Sequence, residues 1–245
     1  MTMADSNQQL EEQMAELLEK YKPMPLDEEL VPFLEPDSWG QSLRHPLVYQ
    51  VPYNPMFARQ CNEQLVSKKD SIAECMQTGQ YAAIIWFYEK PYRFEVFQQM
   101  VPLFMDDEYW GILGQIWTDS ENLHQNQEHF KEVFFPEHLP WDTRRYMMTD
   151  EDARYLDQMP EELEVFRGYN TGNRLGWSWT FSPSRAWWFA RRFADMQGTH
   201  EPAVVRGIIK KADVIAFMHE ARGEAEIILD PDMLVSIHDY TDFTE

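Results

Sequence analysis

Gly223-Glu224-Ala225-Glu226-Ile227-Ile228-Leu229 places two carboxylates two residues apart at the entry to an apolar run. Ile227 and Ile228 mark a strand, and a strand has a side-chain period of two. Glu224 and Glu226 are therefore expected on one face, with Ala225 and Ile227 on the other. Like charges on one face repel unless a cation, a donor or a ligand offsets them, so the pair is a candidate for chemistry as well as for a solvated strand end. Around this stretch lie further strand patterns at Ala203 to Ile209, at Val214-Ile215-Ala216-Phe217 and at Leu234-Val235-Ser236-Ile237. The alternation of Leu163 and Val165 leads into Arg167 as another. Ser182-Pro183 supplies an N-cap with proline at the first helical position, and Ala186, Trp187, Phe189, Ala190 and Phe193 form the apolar side of the helix that follows. The C-terminal part thus reads as α+β and strand-rich.

Two stretches upstream of the acidic pair carry further polar residues. Glu164-Val165-Phe166-Arg167-Gly168 is a strand ending in Arg-Gly, and Gly176-Trp177-Ser178-Trp179-Thr180-Phe181-Ser182-Pro183 leads into the helix. Each has an ordinary reading. Arg167 suits a surface ion pair with Glu164, worth about 0–1 kcal/mol; Ser178 and Thr180 suit plain strand hydroxyls, and Trp177 and Trp179 suit the core. In this order, however, the three stretches resemble the mono-ADP-ribosyltransferases of the arginine–serine–glutamate class, which includes bacterial toxins and bacteriophage enzymes. That family's pattern is a strand Arg, a Ser-Thr-Ser-like strand, and Gln/Glu-x-Glu. Trp179 stands where the pattern has a small hydroxyl residue.

The resemblance covers roughly residues 150–245 and implies a split β-sandwich that holds NAD, the substrate, in a cleft between two small sheets. The reaction it implies breaks the bond between nicotinamide and ribose. Positive charge builds on the ribose as the leaving group departs, and a fixed carboxylate stabilises it, as in glycosidases. By resemblance Glu226 is that carboxylate and bonds the ribose 2-hydroxyl, while Glu224 orients or deprotonates the nucleophile. Ser178 holds Glu226 and Arg167 in position. Arg167 presents a planar fork of donors to the pyrophosphate, and Gly168, Ser178 and Thr180 complete the NAD-binding set, Gly168 by letting the nicotinamide amide approach the backbone. Met218 to Gly223 correspond to the turn that recognises the acceptor, where Arg222 is placed to pair with Glu224. The acceptor is expected to be a protein side chain, arginine among them, or a nucleic acid. The implied setting is a phage, prophage or toxin–antitoxin effector, with an antitoxin or inhibitor protein as a partner. Two other readings compete: an NAD glycohydrolase, in which water replaces the acceptor, and a catalytically silent binding module in which Glu224 and Glu226 only cap a strand.

Composition bounds these readings. The chain has 245 residues, of which 44% are hydrophobic and 14% aromatic, ample for a core. Its formal net charge is −21 and its pI is about 4.6, which opposes non-specific binding to nucleic acid over the average surface and favours basic partners. Cys61 and Cys75 form no C-x-x-C pair, and the N-terminus carries neither a leader-like pattern nor an apolar run long enough to span a membrane. A cytoplasmic protein is expected.

Residues 4–22 have the spacing of a short amphipathic helix, and seven prolines between Pro23 and Pro55 predict an extended, packed wrap. Residues 56–135 read as a small helical bundle. It includes a helix closed at Thr78-Gly79, an all-round apolar and hence buried helix at Tyr81 to Tyr88, and a helix opening at Asp106-Asp107-Glu108. Trp117 to Asn122 suit a cap and turn or a recognition surface. His124, Glu128 and His129 suit a solvated helix face, and no metal is assigned. No G-x-G-x-x-G or Walker loop is present. The expected organisation is a helical domain with a proline-rich wrap over residues 1–145, followed by an ADP-ribosyltransferase-like α+β domain over residues 146–245.

Overall fold

The computed structural model describes residues 24–119, 129–170, 173–197, 202–219 and 225–241, together with Met14. The expected helix at residues 4–22 lies outside the described residues. The chain divides into two compact units, Met1–Leu103 and Phe104–Glu245.

In the first unit the prolines do not produce a wrap. Strands β1 (Leu34–Asp37), β2 (Gly40–His45) and β3 (Val48–Tyr53) form an antiparallel meander in the order β1-β2-β3. The physical reason is the placement of the prolines: Pro36 and Pro52 sit in the two edge strands, where a missing N–H disturbs no central ladder, and β2 in the middle has none. Helix α1 (Ala58–Thr78) packs Cys61 and Leu65 against Leu43, Val48 and Tyr53 to form this unit's core. It ends as expected at Gly79, whose φ of 72° is left-handed and whose N–H donates to the Cys75 carbonyl. The apolar run at Tyr81 to Tyr88 is not one buried helix. It is a single turn, α2 (Tyr81–Ile84), followed by a 3-10 turn at Ile85–Phe87, and only Ile84 and Ile85 of the eight are buried. Lys90-Pro91 opens another 3-10 turn before α3 (Arg93–Met100).

The second unit begins with α4 (Asp106–Asp119), which opens on its three acids as expected and buries Tyr109, Trp110, Leu113, Ile116 and Trp117. Gly114 faces the backbone of Met147, whose carbonyl oxygen would be 2.6 Å from a Cβ there, so the glycine permits close packing on the 3-10 segment Trp141–Met147. Next come α5 (Phe130–Phe134) and α6 (Asp150–Gln158). The latter is capped by Thr149, whose hydroxyl accepts from the Asp152 amide at 3.1 Å. The sheet that follows comprises β4 (Glu162–Tyr169), β5 (Ser178–Thr180), β6 (Ala203–Lys210), β7 (Val214–Met218), β8 (Glu226–Leu229) and β9 (Ser236–Tyr240), with helix α7 (Pro183–Gln197) interleaved after β5. The pairing is antiparallel throughout, in the order β7-β8-β5-β4-β6-β9. Expected strand 234–237 is displaced toward the C-terminus, because Pro231–Met233 makes a 3-10 turn and β9 starts only at Ser236.

The fold is α+β. Alternation along β4 sends Leu163 and Val165 into a core shared with Trp179, Val205, Ile209, Phe217, Ile227 and Leu156. Phe166 points the other way, into a smaller cluster with Val204 and Ala186 of α7. Ser182 caps α7 as expected, its hydroxyl accepting from the Arg185 amide at 3.2 Å. Among the described residues no helix is long and apolar enough to cross a membrane.

Candidate active site

The three polar stretches lie on adjacent strands. Phe166 of β4 is in register with Thr180 of β5, and Thr180 is in register with Glu226 of β8. Arg167, Ser178 and Glu226 are therefore each within two residues of one cross-strand row. The join between β4 and β5 is the single pair Phe166–Thr180, whereas β4 pairs with β6 along its whole length from Glu162 to Tyr169. Beyond that one pair β4 and β5 diverge, and the side of β4 away from β6 has no ladder partner in β5 from Arg167 to Tyr169.

Arg167 fills the place where the strands part. Its Nε donates to the Asn173 carbonyl at 3.1 Å and its Nη1 to the Ser178 carbonyl at 2.6 Å. Together these bonds use two of the guanidinium's five N–H groups. Burial lowers the guanidinium pKa to about 10, and the nearby Glu226 carboxylate opposes that shift. The ordinary reading of Arg167 as a partner of Glu164 fails, since Glu164 pairs with Arg206 across the β4–β6 ladder. Gly176, to which no role attaches in the sequence, is the floor under the guanidinium: a Cβ there would lie 2.5 Å from Arg167 Cζ. The loop before β5 therefore grips Arg167 through two carbonyls and one missing side chain.

Ser178 is half-buried, and the contact it makes with Arg167 uses its backbone carbonyl rather than its hydroxyl. Thr180 is buried, and its hydroxyl accepts from the Ser182 amide at 3.2 Å, where the chain turns into α7. Trp177 and Trp179 are core, as expected. The Trp177 ring meets Phe134 and Phe130 of α5 at 5.4 and 5.8 Å, and the Trp179 indole donates to the Gly176 carbonyl at 2.7 Å. Gly168 has a packing reason to lack a side chain: a Cβ would collide with the Ala186 carbonyl and lie 2.8 Å from the Ala190 amide nitrogen, both on α7.

Glu226 is half-buried at the first position of β8. Ala225 has a φ of 47°, in the left-handed region, and the strand begins only after it, so the alternation expected through the acidic pair is interrupted at Ala225. Such a conformation at a non-glycine residue is uncommon and costs about 1–3 kcal/mol. Glu224, Arg222 and Gly223 lie outside the described residues, as do His124 and Glu128. Just before that gap the His219 amide donates to Asp152 Oδ1 at 2.9 Å, so the buried cap carboxylate of α6 also ties down the end of β7. A cavity of about 660 Å³ opens at the other end of β4, lined by Tyr155, Met159, Leu163 and Phe181 among others; Arg167, Ser178 and Glu226 are not part of its wall.

Asn173 and Gly176 complete the surroundings of Arg167 without having been picked out as site residues. A carbonyl that anchors a guanidinium leaves no mark on residue identity. No protein-family model, curated protein or solved structure matches this chain.

Proposed function

We propose that the chain is a mono-ADP-ribosyltransferase that uses NAD as its donor. The observation that carries the reading is electrostatic: a half-buried guanidinium on β4 is fixed by backbone carbonyls and lies within the field of the Glu226 carboxylate on β8. A partly desolvated cation with donors to spare is suited to a pyrophosphate, whose two negative charges would restore the solvation that burial removes. The carboxylate beside it is suited to a developing oxocarbenium ion. The single-pair join of β4 and β5 supports reading the sheet as two halves, β7-β8-β5 and β4-β6-β9, of a split sandwich. The side of β4 at Gly168 that has no ladder partner among the described residues of β5 suits an amide ligand such as nicotinamide.

In this reaction the bond between C1 of the ribose and the nicotinamide nitrogen breaks, and nicotinamide leaves as a neutral molecule with the bonding electron pair. A nucleophilic atom of the acceptor bonds to C1, and its proton passes to a carboxylate or to water. Glu226 stabilises the charge that appears between the two events. Arg167 holds the phosphates so that the ribose stays against Glu226, and the Ser178 carbonyl and Gly176 hold Arg167.

The test is incubation of the purified chain with NAD labelled in its adenosine half and a bacterial lysate, divided afterwards into protease-treated and nuclease-treated portions. Label recovered on a macromolecule is expected, and the treatment that removes it names the acceptor class. NAD consumed with no macromolecule labelled would replace transfer by hydrolysis, and NAD neither bound nor consumed would leave a binding module.

A further inference from the structure

We infer that the solvent-facing side of α7 docks a single-stranded nucleic acid. The fifteen residues of this helix hold three arginines and one acid, Asp195, a net charge of +2 within a chain of net charge −21. The arginines are organised around indoles. Arg192 and Arg185 lie over the Trp188 ring, 5.1 and 5.8 Å from its centroid, and Arg191 lies 5.8 Å from that of Trp187. Arg185, Trp188 and Arg192 are spaced i, i+3, i+7 and so share one side of the helix, and Trp188 is 46% exposed. Ala186 and Ala190, on the opposite side, are buried. It is at these two residues that α7 meets Gly168, next to Arg167.

A cluster of plain charge would suit any polyanion, but this one alternates guanidinium planes with indole faces. Nucleotide bases stack on both kinds of surface while the phosphates neutralise the arginines. The carboxylates of an acidic peptide would use only the charge of this face, whereas the bases of a single strand would use its indole as well. The acidic remainder of the chain opposes polyanion binding elsewhere on the average surface. The inference deepens the transferase reading and rests on it in one respect: a strand docked here is then the acceptor, held on the helix that packs against the Arg167 strand.

The test uses the full chain and fluorescein-labelled 20-nucleotide single strands of RNA and of DNA, followed by anisotropy at low and moderate salt. Nicotinamide release from NAD without acceptor is measured separately. At least one strand is expected to bind, with log affinity falling against log salt with a slope of about 2, from roughly 0.7 per phosphate for three arginines. The RNA and DNA arms identify which polymer is preferred. Arg185→Glu combined with Arg192→Glu should weaken binding about tenfold or more, and Trp188→Ala should weaken it as well, with melting and nicotinamide release unchanged. The inference is overturned if neither strand binds or if charge reversal leaves the affinity as it was. It is also overturned if poly-glutamate displaces the strand at equal charge concentration, which would assign the face to an acidic protein. Nicotinamide release without strand binding removes the docking surface and keeps the transferase; strand binding without nicotinamide release does the reverse.

Discussion

Arg167 concentrates the physics of the candidate site. Its charge is half-buried and compensated by two backbone carbonyls and one carboxylate's field, and the space for its planar group exists because residue 176 has no side chain. Gly176→Ala should therefore act on Arg167 rather than on the fold as a whole. We expect the KM for NAD to rise about 10- to 100-fold, the worth of one charge-assisted contact, and Arg167→Ala to raise it at least as far; a normal KM in Gly176→Ala would show that the guanidinium is not the phosphate clamp. Glu226→Gln should cut transfer by about 10²–10⁴-fold with unchanged melting, and transfer near the wild-type rate would remove Glu226 from the chemistry. His45, in the first unit, makes a separate prediction. The imidazole is buried, its Nδ1 accepts from the Leu47 amide at 3.1 Å, and burial pulls its pKa below the ordinary 6.5, with the Glu29 carboxylate opposing and the Lys69 ammonium reinforcing. Above pH 6.5 the ring is neutral in both folded and unfolded chains. Below it the unfolded chain takes up a proton that the folded one still refuses, so stability falls as the pH falls through this window. The melting temperature of His45→Gln should fall less than that of the wild type between about pH 7 and pH 5, and equal slopes would clear His45 of the effect.

At the level of strands and helices, the contact between β4 and α7 matters most to the site. Gly168 lets the backbone of α7 approach the Arg167 strand more closely than any side chain would allow. Gly168→Ala should destabilise the protein by about 1–3 kcal/mol or more, because the colliding atoms are backbone and cannot swing aside. Urea unfolding measures this, and an unchanged midpoint would mean that α7 shifts at little cost. Helix ends were the most legible features of the sequence: Gly79, the acids of α4, Thr149 and Ser182 all terminate or open helices where their chemistry predicts. Each is a local interaction between a side chain and backbone a few residues away. The proline-bearing edge strands were not legible, since proline is excluded from a strand only when that strand is central, and edge or centre is a property of the assembled sheet. The left-handed φ of Ala225 was not legible either, since nothing in an alanine's identity marks that conformation.

For the molecule as a whole, 42 acidic against 21 basic side chains make self-repulsion a standing cost. Raising salt from about 0.01 M to about 0.15 M shortens the screening length from about 30 Å to about 8 Å. The melting temperature should therefore rise with sodium chloride over that range, while nucleic acid binding at α7 weakens; a flat melting curve would mean that opposite charges are already well interspersed. Composition, strand alternation and capping chemistry were enough to establish an α+β chain, its main helices and most of its strands, because these are short-range or statistical properties of side chains; the candidacy of Arg167, Ser178 and Glu226 came instead from the resemblance of three ordered motifs to a known family. The order β7-β8-β5-β4-β6-β9, the single-pair join that parts β4 from β5, and the grip of Asn173, Ser178 and Gly176 on one guanidinium were decided only in the folded sheet. They depend on backbone atoms that every residue possesses, and which of those atoms meet is set by long-range pairing that no local pattern encodes.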